Sequence, residues 1–322
     1  LTLWKARRCT IWGDDSSPMK REREIEIASP TGFCFGVKRA IESLERRIEE
    51  CGALSDGVKV YSVGMPIHNP QEVERLSKKG LKVVDRVDDI PPGSYAFVRA
   101  HGAPPSQKEE LVARCGAANV TDATCPFVKN AQDKAAFLAR EGYAVLVLGD
   151  PDHPEVQAIV GCAEGDAMVA SSLGEVEALG RRDRLGVISQ TTQKGEFLGA
   201  AASILAPLTR ELRVFNTICG ATTQRQEAVR RITSRVDGLI VVGGRNSANT
   251  AKLVEIARSR QCDVLWIEHA GELSQEWFAE KSNVGIAAGA STPDWLIEEV
   301  KHAIETSQVP RGMEGYDGRI YE

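Results

Sequence analysis

Residues 121–131, TDATCPFVKNA, set one cysteine between a short β-branched run and the start of a helical period. Two other stretches are built the same way. Cys34, in GFCFGVKRAIE, follows the alternating IEIASPTG, and Cys219, in NTICGATTQRQEA, follows LRVF. The intervals are 91 residues (34 to 125) and 94 residues (125 to 219). Such a period fits one small α/β unit and neither a zinc ribbon nor a redox CxxC pair.

If the chain is three copies of one unit, other loops recur at matched offsets. A second set carries His68, His153 and Asn246-Ser247, lying 34, 28 and 27 residues after the respective cysteines. A third set carries His101, Thr191 and Ser291, at 67, 66 and 72 residues. In each, a β-branched run ends in a polar or glycine-rich tip and a helix follows, so the tips lie at strand C-terminal ends, where open parallel sheets bind ligands. The fold class expected is α/β, with three lobes in a pseudo-threefold arrangement and mainly parallel sheets. The divisions are an N-terminal extension 1–21, units 22–119, 120–210 and 211–307, and a tail 308–322.

The rest of the chain agrees with an enzyme-sized globular protein. It has 322 residues, 42 % hydrophobic and 26 % charged, with a net charge of −5. No basic cluster offsets the acidic balance, which argues against a nucleic-acid surface. Eight cysteines without a CxxC are too sparse for a disulfide scaffold and fit a reducing cytosol. The longest apolar runs are of strand length, so no membrane span is expected. The first eighteen residues lack a hydrophobic signal core and read as an extension, with Cys9 incidental. The tail, VPRGMEGYDGRIYE, reads as an extended segment packed back on the body.

Locally, 24–28 reads as the first strand and opens unit one. Gly32 and Gly36 flank Cys34 where the backbone turns tightly and approaches something closely. A helix covers 37–51, and prolines open the helices after His68 and His101. In unit two, strand MVAS is followed directly by strand LGVIS.

Three cysteines on matched loops of a threefold arrangement converge on one axis. Zinc in structural sites prefers four ligands, and hard cations prefer oxygen. Three thiolates without a fourth suit a 4Fe-4S cluster, with one open iron left free as a Lewis acid. Facing it would be His68, His101, His153, Glu155, Thr191, Ser247, Asn249 and Ser291, a cradle for a phosphate or diphosphate at helix N-termini. Glu155, the one carboxylate of this set, is the candidate proton donor. Cys51, Cys115, Cys162 and Cys262 read as small buried hydrophobes, and His269 and His302 as capping or surface groups.

These motifs (GFCFGVKRAI, PIHNPQEVERL, RAHGAP, DATCP, DHPEV, SQTT, TIC with ATTQRQEAV, NSANT and GASTPDW, in this order between 25 and 305) resemble the LytB/IspH family of 4-hydroxy-3-methylbut-2-enyl diphosphate reductases. The resemblance implies a trefoil of α/β units around a 4Fe-4S cluster held by Cys34, Cys125 and Cys219. It implies that His68, His101, Ser247, Asn249 and Ser291 hold the diphosphate, that His153 and Thr191 line the pocket near the substrate hydroxyl, and that Glu155 delivers protons. Ala248 stands where many relatives have a second serine. The implied reaction is a two-electron, two-proton removal of the C4 hydroxyl from an allylic diphosphate, giving isopentenyl and dimethylallyl diphosphates in the cytoplasm. No nucleotide fingerprint is present, so an external electron donor, a ferredoxin or flavodoxin, is implied. Two other readings compete with it. An iron-sulfur sensor leaves His68, His101 and Ser291 without a task, and a zinc hydrolase would be colourless.

Overall fold

The computed structural model describes residues 23–54, 57–163, 165, 167–278 and 280–306. The extension 1–21 with Cys9, and the tail expected to pack on the body, lie outside the described residues. Strand β1 (Glu24–Ile27) and helix α1 (Phe35–Leu54) lead into β2 (Val60–Val63), α2 (Pro70–Lys79), β3 (Leu81–Val84), β4 (Tyr95–Val98), α3 (Pro105–Cys115) and β5 (Val120–Asp122). Then follow α4 (Pro126–Arg140), β6 (Ala144–Leu148), α5 (Pro154–Gly161), β7 (Ala167–Ala170), α6 (Leu173–Ala178), β8 (Arg182–Ser189), α7 (Gly195–Leu205) and β9 (Thr209–Val214). The last run is α8 (Gly220–Ile232), β10 (Gly238–Val242), α9 (Ala248–Ser259), β11 (Asp263–Ile267), α10 (Gln275–Phe278), β12 (Asn283–Ala288) and α11 (Asp294–Thr306).

The strands form three four-stranded parallel sheets, ordered β3-β2-β4-β5, β7-β6-β8-β9 and β11-β10-β12-β1. This is the three-lobed α/β architecture that the cysteine period predicts. Each sheet is covered by helices on both faces. In the third lobe, Leu239 and Val241 pack against α8 and α9, while Ile240 and Val242, their neighbours in sequence, pack against α11. That alternation explains why its central strand GLIVV is apolar throughout. In the first lobe the same division sets the α1 side (Leu44, Ile48, Leu76, Phe97) against the α3 side (Ala96, Val98, Leu111).

Sheet membership differs from the order of the sequence units. Strand β5, which leads to Cys125, is the edge of the first lobe's sheet, and β9, which leads to Cys219, is the edge of the second. Strand β1 does not open the first sheet. It pairs in parallel with β12 at the far end of the chain, Glu24 opposite Asn283 and Ile27 opposite Ile286. Each lobe therefore takes its fourth strand from the next unit, and β1 closes the ring. An edge strand's alternation specifies which faces it presents but not which sheet it joins, so local pattern could not assign the partner. The structure also adds α6 between MVAS and LGVIS, where Ser172 caps the helix by accepting from the Glu175 N–H at 3.3 Å. No helix among the described residues is long and apolar enough to cross a membrane.

Candidate active site

Because each crossing strand ends in a cysteine, all three cysteines stand at junctions between lobes. Their main-chain bonding is the same three times over. The Cys34 N–H donates to Ala290 O at 3.1 Å, Cys125 to Ala100 O at 3.0 Å and Cys219 to Thr191 O at 3.0 Å, each tying the cysteine to the lobe it has just left. Each cysteine carbonyl then accepts the first helical bond of the next lobe, from Lys38, Lys129 and Thr223. The sulfurs thus lie at the positive ends of α1, α4 and α8.

The two glycines beside Cys34 have specific neighbours. A Cβ on Gly36 would collide with Cys125 Sγ, so the first helix can approach the second cysteine only without a side chain there. Gly32, at φ +70°, would meet the Asp294 carboxylate. Burial pushes the Cys125 and Cys219 thiols up, and the other cysteines of the trio push Cys125 further the same way. Opposing this, Cys125 is hydrogen-bonded by the Phe127 and Val128 N–H groups, and Cys219 Sγ lies 3.0 Å from Thr222 Oγ1.

All eleven residues singled out in the sequence line one cavity of about 710 Å³, mouth included: the three cysteines, His68, His101, His153, Glu155, Thr191, Ser247, Asn249 and Ser291. His68, His101 and His153 come from two lobes, with ring centroids 4.2 Å (68–101), 5.1 Å (68–153) and 5.5 Å (101–153) apart. Their donor atoms lie within 4.8 Å of one another. Burial first, then mutual repulsion with the Arg99 charge, lowers His68 to about 3 and His101 well below the usual imidazole range. Burial likewise lowers His153 to about 4, with Asp150 opposing. The trio is neutral at pH 7.

The cradle also holds buried polar atoms with no partner: both ring nitrogens of His68, Nδ1 of His101, and both amide atoms of Asn249. Unsatisfied buried polar groups cost free energy, and a cluster of them marks where a polar ligand belongs. His153 and Ser247 have a second task as helix caps. His153 Nδ1 accepts from the Glu155 N–H at 3.1 Å, and Ser247 Oγ from the Thr250 N–H at 3.3 Å.

Glu155 is 2 % exposed. Its oxygens accept from the Thr191 N–H at 2.6 Å and the Thr191 hydroxyl at 2.8 Å. Burial raises it to about 7 despite those two bonds, which favour the ionised form. A carboxyl group so placed exchanges a proton near neutral pH.

Three further residues were not singled out in the sequence. The main-chain bonds pair the cysteines with the carbonyls just before His101 and Ser291, and in the second lobe with the carbonyl just before Thr192. Thr192, which also lines the cavity, is thus the register equivalent of His101 and Ser291, and Thr191 instead holds Glu155. The doubled threonine in SQTT was the available signal. Thr222 and the buried Arg225, both on α8, flank Cys219 and carried only a helical period in the sequence. Ala248 lines the cavity between Ser247 and Asn249. His269 caps a short turn by accepting from the Gly271 N–H, and Cys51 and Cys115 are core residues, as their bland readings expected.

Soft sulfur donors, a cradle of neutral imidazoles, hydroxyls and an amide, and one protonatable carboxyl meet in a single cavity, a donor set suited to a thiolate-bound metal centre and an anionic ligand. The family profile described as LytB protein matches residues 25–305. The chain is 42 % identical over 285 residues to a 4-hydroxy-3-methylbut-2-enyl diphosphate reductase of Aquifex aeolicus, covering 88 % of this chain and 96 % of that one. It is 43 % identical over 282 residues to the same-named protein of Geobacter sulfurreducens, covering 88 % and 97 %. Among solved structures it is similar to an (E)-4-hydroxy-3-methyl-but-2-enyl diphosphate reductase described as the terminal enzyme of the non-mevalonate pathway, with a TM-score of 0.64, 41 % identity and coverage of 88 % and 99 %. It is also similar to the E-1-hydroxy-2-methyl-but-2-enyl-4-diphosphate reductase of Plasmodium falciparum, with a TM-score of 0.79, 26 % identity and 90 % of each chain covered. With a profile spanning most of its length and relatives above 40 % identity, the chain belongs to the LytB family.

Proposed function

We propose that this cavity reductively dehydroxylates 4-hydroxy-3-methylbut-2-enyl diphosphate to isopentenyl and dimethylallyl diphosphates. The family is one of iron-sulfur oxidoreductases of isoprenoid precursor synthesis, and the activity follows from membership. The assignment of residues is our own reading. Cys34, Cys125 and Cys219 would hold a 4Fe-4S cluster and leave one iron without a protein ligand. The donor set fits that group: three free, partly buried thiols stand at three helix N-termini, with no fourth sulfur in the cavity lining. When bound, the cluster supplies the electrons and a Lewis-acidic iron for the C4 oxygen.

The remaining work falls to side chains. His68, His101, Ser247, Asn249 and Ser291 bind the diphosphate, with the unpartnered atoms of His68, His101 and Asn249 and the two serine hydroxyls supplying the hydrogen bonds. His153 and Thr191 line the hydroxyl end. Glu155 holds the proton that leaves with the hydroxyl as water, and it is reprotonated to supply the second, which ends on carbon. Two electrons and two protons turn the alcohol into an alkene and one water. The electrons come from a ferredoxin or flavodoxin. Seven free cysteines among the described residues accord with a reducing compartment, and we place the protein in the cytoplasm.

The observation that carries this reading is the convergence of three thiolates, five polar cradle residues and Glu155 on one cavity. The test is anaerobic purification followed by iron and sulfide analysis, a visible spectrum, and turnover with a chemical electron donor. Brown protein that consumes the allylic diphosphate is expected. A colourless protein carrying zinc would overturn it.

A further inference from the structure

Helix α8 carries a buried cation to which the mechanism above gives no role. Arg225 is 4 % exposed. Its Nη2 donates to Gly32 O at 2.7 Å and to Thr31 O at 3.5 Å, and its Nη1 to Ala221 O at 3.3 Å. Nε is buried without a partner. All three acceptors are neutral carbonyls, and the groups whose negative charge would act on the guanidinium are Cys34 and Cys219. A buried guanidinium with no counter-charge is strongly destabilising. Its counter-charge would be the centre as a whole, the three thiolates together with the group they hold.

The placement supports this. Gly32 lies two residues before Cys34, and Ala221 two residues after Cys219, so one guanidinium spans the approaches to the two cysteines that border the third lobe. Thr222, three residues earlier on α8, places Oγ1 3.0 Å and its N–H nitrogen 3.4 Å from Cys219 Sγ. A doubly positive cubane core on three thiolates is a net monoanion, and a dianion once reduced by one electron. A fixed positive charge and hydrogen bonds to sulfur stabilise the dianion more, because its charge is larger.

We propose that Arg225 is the resident counter-cation of the three-cysteine centre and that, with Thr222, it raises the potential at which that centre accepts an electron. Arg225 is a positioning and tuning residue and touches no substrate. The inference rests on the cluster reading, and its test separates the two.

The experiment is an anaerobic redox titration of cluster-loaded protein followed by electron paramagnetic resonance, for wild type, Arg225→Gln, Arg225→Lys and Thr222→Val. At a fixed solution potential, Arg225→Gln should raise the oxidised-to-reduced ratio at least tenfold, equivalent to about 59 mV for one electron. Arg225→Lys should recover most of that shift, since it keeps the charge and loses the forked hydrogen bonds. Thr222→Val should shift the ratio in the same direction by a smaller factor. Thermal unfolding of the same proteins without the cluster supplies a second readout. There the cysteines are no longer held ionised by a metal centre and the buried charge has lost its counter-charge, so Arg225→Gln should leave the midpoint unchanged or raise it. Equal potentials for Arg225→Gln and wild type would overturn the proposal. So would an Arg225→Gln apoprotein that fails to fold or melts as far below wild type as the loaded form does, because Arg225 would then be a structural latch between loops. A wild-type protein with no cluster would instead overturn the reading beneath it.

Discussion

Thr191 holds Glu155 by both oxygens, with its backbone N–H 2.6 Å from Oε1 and its hydroxyl 2.8 Å from Oε2. Both bonds favour the carboxylate, yet burial outweighs them and the group titrates at about 7. A proton donor is active while protonated, so kcat/KM should be level below that pH and fall by a factor of ten per pH unit above it. Thr191→Val removes one bond that favours ionisation. The alkaline limb should therefore move to higher pH in the variant, and a limb that stays in place or moves down would show that Glu155 does not set the profile.

Replacing Glu155 by Gln keeps shape and removes the acid. Turnover with a chemical donor should fall about a hundredfold or more, the scale of a positioned general acid. Iron content and substrate affinity, measured on the same sample, should stay within about twofold of wild type, the expectation for a residue that acts on the transition state alone. Near-normal turnover would pass the proton role to His153 or to the diphosphate itself.

The three histidines are neutral because burial lowers them, His68 to about 3 and His153 to about 4, with repulsion from neighbouring imidazoles adding to it at His68 and His101. An anion among them reverses the balance by favouring imidazolium. Bound-state values then exceed free-state values, so binding takes up protons and affinity for inorganic pyrophosphate should rise as pH falls from 8 toward 6. Calorimetry in two buffers of different ionisation enthalpy should give different heats. Identical heats would mean that no histidine changes charge.

Loss of one contact to the charged diphosphate should cost about 1.5–3 kcal/mol, or roughly ten- to hundredfold in affinity. His68→Ala, Asn249→Ala and Ser291→Ala are the variants to titrate, with Asn249 the most informative because both its amide atoms are buried and unpartnered. Unchanged affinity in all three would place the diphosphate elsewhere.

Cys34→Ser, Cys125→Ser and Cys219→Ser should each lose most bound iron, while Cys162→Ser and Cys262→Ser keep it. Gly36→Ala should behave like the first group although it alters no ligand, because the added methyl collides with Cys125 Sγ. Full iron in Gly36→Ala, by colorimetric assay on anaerobic protein, would show that the sulfurs do not meet where the geometry puts them.

The lobes, their parallel strands and the cysteines and polar loop tips of the cavity were legible in the sequence because a repeat of about 92 residues marks them three times, and covalent order alone carries that information. The glycines around Cys34 were legible too, as positions where the backbone comes close to something. What they come close to, Cys125 Sγ and the Asp294 carboxylate, was not, since a glycine states that there is no room without naming the neighbour. Tertiary structure alone decided the ring of exchanged strands. Parallel edge strands carry no address, and β1 pairs with β12 across the length of the chain. It also decided the register that puts Thr192 level with His101 and Ser291 and turns Thr191 to Glu155, and the burial that brings Glu155 to about 7 and sets Arg225 between two cysteines. Burial and electrostatic pairing are properties of many segments at once, so no one stretch of sequence specifies them.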